Sequence, residues 1–121
     1  VGSEMCIRDS VGPYSQAIKA GNTVYCSGQI GLDPATGTMV EGVVAQANRA
    51  FDNLEAVLAQ AGAKMTDVVK FTIFLTDIND FSQVNEVMAA HVPTPYPARS
   101  CMQVAALPKG ALVEVEAIAV I

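Results

Sequence analysis

A short segment near the carboxyl end carries a side chain suited to binding a small acid. Arg99 directly follows a proline-rich loop and begins the apolar segment RSCMQVA. A guanidinium at an apolar sheet margin needs a partner, and its planar fork can hold a carboxylate through two parallel hydrogen bonds. That carboxylate can belong to a ligand or, as the structural alternative, to Glu114 or Glu116.

Those two glutamates alternate with apolar residues in the last segment, ALVEVEAIAVI. In a strand they point to the same side, which also carries Leu112 and Ile118. Burial on that side would raise the pKa of a carboxyl group and suit it to general-base catalysis. A solvated sheet edge is the alternative.

Cys101 lies two residues after Arg99 and therefore on the same side of a regular strand. The neighbouring cation favours its thiolate. The single histidine, His91, precedes a three-proline loop and is expected at the surface end of a helix. We therefore expect Cys101 to shape a pocket as an inert thiol, and we expect no metal site because the ligands are too few.

Three further positions are candidate pocket residues. Tyr14 is the amphipathic ring of the loop GPYSQ, and Ser27 and Gly28 interrupt a strand with small residues, so that a ligand can approach the backbone. Asn85 lies near the apolar stripe of a helix, although an ordinary exposed asparagine would look the same.

Composition excludes several classes of function. The net charge is −5 and the seven cations are scattered, which disfavours a nucleic-acid or membrane surface. Three dispersed cysteines do not form a disulfide framework and favour the cytoplasm. Half of the 121 residues (51%) are hydrophobic, which predicts one folded domain with much apolar surface to cover.

The elements that position these residues follow from hydrophobic periodicity and turn residues. The predicted order is β-β-α-β-α-β-β, an α+β domain with a mixed sheet. Asn79 or Asp80 is expected to cap the second helix, and the last two strands are expected to form a hairpin. The predicted strands are 22–32, 38–40, 68–77, 99–105 and 111–121, and the helices are 44–61 and 79–92.

Two helices can cover only one face of such a sheet. The last strand is nevertheless apolar on both sides, as Val113 and Val115 show on one side and Ile118 and Val120 on the other. Strands of this kind are buried on both faces. The missing cover is expected to be another copy of the chain, with any cleft at the seam between copies.

The sequence resembles the RidA (YjgF/L-PSP) family over residues 11–121. The resemblance rests on GPYSQAIKAGNTVYCSGQIGLDPATG, QANRAFDNLEAVLAQAGA, VVKFTIFLTDINDFSQVNEV and, most specifically, YPARSCMQVAALPKGALVEVEAIAV. It implies a chorismate-mutase-like α+β fold with two helices on one face, a homotrimer with clefts between subunits, and cofactor-free hydrolysis of 2-imino acids to 2-keto acids and ammonia. Residues 1–10, which begin with Val, depart from the family's short strand before GPYSQ and are expected to form an atypical segment that need not be native.

The resemblance also implies roles for particular residues. Arg99 matches the family's carboxylate anchor and Glu114 the residue that activates or orients water. The matching cleft-lining positions are Tyr14, Ser27, Gly28, Asn85 and Cys101. Two other readings stay open: a protein without turnover, which binds small carboxylates or protects other proteins as a redox-responsive holdase, and a nuclease, which the acidic charge disfavours.

Overall fold

The computed structural model describes residues 5–7 and 16–121. Six strands and two helices follow one another along these residues. The strands are β1 (Met5–Ile7), β2 (Ala17–Ala20), β3 (Thr23–Ile30), β4 (Val68–Leu75), β5 (Ala98–Gln103) and β6 (Val113–Val120), and the helices are α1 (Val43–Gln60) and α2 (Phe81–His91).

Helix α1 forms because its apolar residues recur at intervals of three and four. Phe51, Leu54 and Leu58 are fully buried on this stripe. Gly62 takes a φ of +81° just past the helix end, a conformation that favours glycine. The predicted helix over 44–61 is thus confirmed, except that Val44 is 44% exposed.

One mixed sheet joins all six strands in the order β1-β2-β3-β6-β4-β5. β6 lies between β3 and β4 and is antiparallel to both, whereas β5 is parallel to β4 and forms one edge. The residues of β6 that point toward the helices, Val113 and Val115 among them, are fully buried. The α+β class, the mixed sheet and the two helices are confirmed.

The opposite face of the sheet carries large apolar side chains that remain exposed. Tyr25 is 50% exposed, Val69 48%, Val120 46% and Met102 41%. Neither helix packs on this face, so the two helices cover only one face of the sheet, as the predicted number of helices implies. We call this surface, defined by Tyr25, Val69, Met102 and Val120, the open face.

Two predicted pairings are wrong. Residues 38–40 form no strand, because only an isolated bridge joins Leu32 to Met39; the hairpin partner of β3 is β2. β5 and β6 are not a hairpin either, since β4 lies between them and hydrogen-bonds to both. The connection from β5 to β6, which contains the turn Pro108–Gly110, therefore passes over β4.

One expectation about a helix end also needs correction. The side chain of Asp80 makes no capping hydrogen bond, and Asp77 instead accepts a hydrogen bond from the Asn79 N–H at the 3-10 turn before α2. Within residues 1–10, Met5–Ile7 forms a short strand antiparallel to β2. No helix within the described ranges is long and apolar enough to cross a membrane.

Candidate active site

The first half of the site lies at the β5 edge of the sheet, on the side that the helices cover. Arg99 pairs across the sheet with Phe71, which is fully buried under the helices. Paired residues of neighbouring strands point to the same face. The Arg99 side chain therefore extends toward α2, where a cavity of ≈ 410 Å³ opens beside it.

Side chains of α2 hold the Arg99 guanidinium. Its Nη1 donates to Oδ1 of Asn85 and lies 3.8 Å from the sulfur of Met88. Its central carbon lies 4.9 Å from the centre of the Phe81 ring. These partners are neutral, so the positive charge of Arg99 is not cancelled by them and remains available to an anion.

The cavity combines this cation with apolar walls, an arrangement suited to a small carboxylic acid. Met88, Ala89, Tyr96 and Pro97 line it together with Asn85 and Arg99. Tyr96 is 60% exposed at the rim. The cation would orient the acid, and the apolar walls would contact its side chain.

Cys101 faces the same side of β5 as Arg99, because it pairs with the buried Ile73. Burial raises the pKa of the Cys101 thiol, and the Arg99 charge opposes this rise only in part. A thiol with a raised pKa is a poor nucleophile at neutral pH. The thiol packs against the core and is not among the residues that line the cavity beside Arg99, so its pocket-shaping role stays a prediction.

The second half of the site centres on Glu114 and a bulge in β3. Cys26 pairs with Ala117 and Gln29 with Val115, so β3 holds one residue more than β6 in this interval. Ser27 and Gly28 occupy this bulge. A Cβ on Gly28 would lie 2.6 Å from the carboxyl carbon of Glu114, so only glycine leaves room for that carboxylate.

The carboxyl group of Glu114 has an environment unlike that of a surface glutamate. Burial raises its pKa, and the neighbouring Glu116 raises it further. In its ionised form, a carboxylate with a raised pKa is a stronger base than an ordinary glutamate. The N–H of Leu112 donates to Oε1 of buried Gln46 at 2.8 Å, which anchors the chain two residues before Glu114.

A second set of polar contacts fixes the bulge. The backbone N–H of Ser27 donates to the carbonyl of Gln16 at 2.8 Å, and Nε2 of Gln29 donates to Oε1 of Gln16 at 2.8 Å. These two bonds tie Gln16 to the bulge. Tyr14, also predicted in the site, lies outside the described residues.

Arg99 and Glu114 lie on opposite faces of the sheet. Arg99 shares the helix-covered face with Phe71 and Ala117, whereas Glu114 alternates with buried Val113 and Val115 and so points to the open face. The structural alternative for Arg99, an ion pair with Glu114 or Glu116 of the same chain, is therefore wrong. The two halves do not meet within one chain.

The structure brings Asn85, a candidate pocket residue from the sequence, into contact with Arg99, but sequence reasoning missed the other residues around the guanidinium. Phe81 and Met88 are not among the residues that the sequence singled out, although both contact the guanidinium. Their spacing from Asn85, four residues before and three after, could have indicated one shared helix face. His91 is the last residue of α2, at the helix end where it was predicted. Its ring stacks on Phe51 of α1, and its Nε2 forms a hydrogen bond with Oδ1 of Asn48.

The fold and both half-sites define a small α+β protein with a cation-lined cavity at a sheet edge and a half-buried carboxylate on the opposite face. The model of the family described as "Endoribonuclease L-PSP" matches residues 7–121. The chain therefore belongs to this family, the RidA (YjgF/L-PSP) family of the sequence resemblance.

Individual relatives are similar along most of the chain. A protein of Dermatophagoides farinae named 2-iminobutanoate/2-iminopropanoate deaminase is 53% identical over 92% of this chain and 88% of its own length. The crystal structure of RidA from Psychrobacter sp. is 51% identical, with a TM-score of 0.94 over 97% of this chain and 99% of that one. Escherichia coli TdcF with bound serine is 40% identical, with a TM-score of 0.89 over 97% of this chain and 98% of that one.

Proposed function

We propose that the chain is a cofactor-free hydrolytic deaminase that converts small 2-imino acids to 2-keto acids and ammonia. The substrates are 2-iminopropanoate and 2-iminobutanoate, or their enamine tautomers. Relatives that are about half identical over most of the chain carry this activity in their names. The observation that carries the proposal is the guanidinium of Arg99, whose partners among the described residues are neutral, in a cavity with apolar walls.

Arg99 anchors the substrate carboxylate. Its Nη1 is occupied by Asn85, which leaves the edge formed by Nε and Nη2 for two parallel hydrogen bonds. Each charge-assisted hydrogen bond contributes about 1.5–3 kcal/mol. Losing both would lower transition-state binding by roughly 10²–10⁴-fold.

Glu114 activates the attacking water. Water adds to the C=N carbon of the protonated imine, and its proton passes to the Glu114 carboxylate, which gives a carbinolamine. Glu114 then returns the proton to the nitrogen, the C–N bond breaks, and the hydroxyl proton passes through Glu114 to the departing ammonia, which leaves as ammonium together with the keto acid. A positioned base of this kind contributes about 10²–10⁴-fold. We assign the nitrogen or the developing charge to backbone groups near Gly28.

The complete site needs two copies of the chain. Arg99 and Glu114 point away from each other in one chain, so one copy supplies the cavity with Arg99 and Asn85, and its neighbour supplies Glu114 with Ser27 and Gly28. The exposed apolar side chains of the open face favour association of identical copies. Three copies, as the family resemblance implies, would cover each open face.

The test is a coupled assay in which an amino-acid oxidase or a dehydratase supplies the imine. Wild type should accelerate keto-acid formation, and Arg99→Ala should abolish this. Arg99→Lys keeps the charge but not the fork and should recover only part of the rate. Arg49→Ala, which removes a guanidinium from α1, is the matched control and should behave as wild type. An Arg99→Ala protein that clears imine as fast as wild type would refute the mechanism.

A binding protein without turnover would use the same cavity. Tight binding of 2-ketobutanoate in calorimetry, together with no imine turnover, would favour that alternative. A nuclease would need basic and aromatic side chains along one surface, and unaltered RNA after incubation with highly purified protein would exclude it.

The free thiols Cys26 and Cys101 suit a reducing compartment, and the cytoplasm is the proposed location.

A further inference from the structure

Three residues on one face of α2 surround a single guanidinium. Phe81, Asn85 and Met88 are spaced by four and three residues, so they share a helix face. That face is turned toward Arg99 on β5. The side chains of Asn85 and Met88 both contact Nη1 and thus fix one end of the fork.

The Phe81 ring restrains the fork in a different way. It packs partly against the core and lies 4.9 Å from the guanidinium carbon. A cation over an aromatic ring is attracted to the negative face of the ring. Since β5 is an edge strand and the Arg99 side chain is exposed, this attraction limits a motion that packing alone would allow.

The start of α2 is tied to the strand that carries Arg99. The N–H of Ile78, in the 3-10 turn before α2, donates to Oε1 of Gln103 at 2.8 Å. Gln103 follows Arg99 at an interval of four on β5 and therefore points to the same face. Phe81 lies three residues after this bond, so its ring is held at a fixed place along β5.

We infer that Phe81 is a positioning residue that holds the Arg99 guanidinium, with its Nε and Nη2 edge free, for the carboxylate of the ligand. The inference deepens the proposed function and rests on it, because the ligand is the 2-imino acid or its 2-keto product. Phe81 acts through Arg99, so its removal weakens carboxylate binding more than it slows the chemical step.

The experiment compares Phe81→Leu and Phe81→Tyr in the full chain. Calorimetry with 2-ketobutanoate should show about 2- to 10-fold weaker binding for Phe81→Leu, which loses the ring but keeps an apolar side chain. Phe81→Tyr keeps the ring and should bind as wild type. In the imine assay, KM should rise for Phe81→Leu while kcat changes little. Equal affinities for Phe81→Leu and wild type, or no recovery with tyrosine, would overturn the inference.

A series of fluorinated phenylalanines at position 81 separates this role from a structural one. Fluorine weakens the negative face of the ring while nearly preserving its shape, so affinity for 2-ketobutanoate should fall with each added fluorine. Constant affinity along the series would overturn the inference, and the series decides the question if Phe81→Leu does not fold.

The outcomes also separate this inference from the proposed function. Wild type that binds 2-ketobutanoate without imine turnover would refute the proposed deaminase activity. The calorimetric titrations of the Phe81 variants would still test whether Phe81 positions Arg99. Wild type that turns over imine without measurable binding of 2-ketobutanoate would leave the deaminase standing, and an unchanged KM for Phe81→Leu would then overturn the inference.

Discussion

Two inactive variants are expected to restore activity when their subunits are mixed. Arg99→Ala lacks the carboxylate anchor and Glu114→Gln lacks the base, so each alone should retain about 1% of wild-type activity or less. Because Arg99 and Glu114 point to opposite faces of the sheet, the proposed site takes one from each of two neighbouring copies. A mixed assembly can therefore contain sites with both native side chains.

The size of the recovery follows from this geometry. In a random equal mixture, a site receives Arg99 from a Glu114→Gln copy in half of the cases and Glu114 from an Arg99→Ala copy in half of the cases. About one quarter of the sites are then intact, so activity should rise from about 1% or less to about 25% of wild type. The subunits would be exchanged by co-expression or by joint refolding, and imine turnover would be measured per total chain.

A matched mixture gives the opposite arrangement of the same substitutions. Wild type mixed equally with the double variant Arg99→Ala, Glu114→Gln should show about one quarter of wild-type activity if sites are shared. It should show about one half if each chain holds a complete site. No recovery in the first mixture, with one half in the second, would refute the shared site.

Three further predictions concern the Glu114 half-site and the thiol. Gly28→Ala should displace the Glu114 carboxylate and lower kcat by at least about 10-fold, because a Cβ would lie 2.6 Å from its carboxyl carbon. Binding of 2-ketobutanoate should be retained, and an unchanged kcat would contradict the prediction. The acid limb of the kcat profile should lie above the range of an ordinary glutamate, since burial raises the pKa of Glu114 and the base must be ionised. Glu116→Gln should move the acid limb to lower pH, because Glu116 also raises the pKa of Glu114. An acid limb that does not move would show that it reports the titration of another group. Cys101→Ala should keep turnover within about 10-fold of wild type, since the pKa of this thiol is raised; complete loss with intact folding would indicate a covalent role.

Local sequence patterns were sufficient for the elements that have a regular period. The stripe with Phe51 and Leu54 predicted α1, and Gly62 marked its end. Alternation predicted that Arg99 and Cys101 share one side of their strand, as they do. These predictions succeed because helix and strand periods depend on neighbouring residues alone.

Strand pairing depends on contacts that are distant in sequence, and there the predictions failed. A turn between β5 and β6 looked like a hairpin, yet β4 offers both strands a longer ladder and lies between them. Residues 38–40 looked like a return strand, but the four residues of β2 pair with β3 instead. The short segment AIKA has too little periodicity to be recognised by itself.

The sequence by itself determined the side-chain types, the sides that they take within each strand, and the shortage of helices to cover the sheet. Only the tertiary structure decided that Arg99 and Glu114 face opposite ways, and that Phe81 and Met88 contact the guanidinium. Alternation fixes which residues of one strand point to the same face. Whether residues of two strands that are not neighbours share a face depends on how each strand is paired in register with the strand between them. For Arg99 and Glu114 that strand is β4, where Phe71 pairs with Arg99 and Phe74 with Glu114.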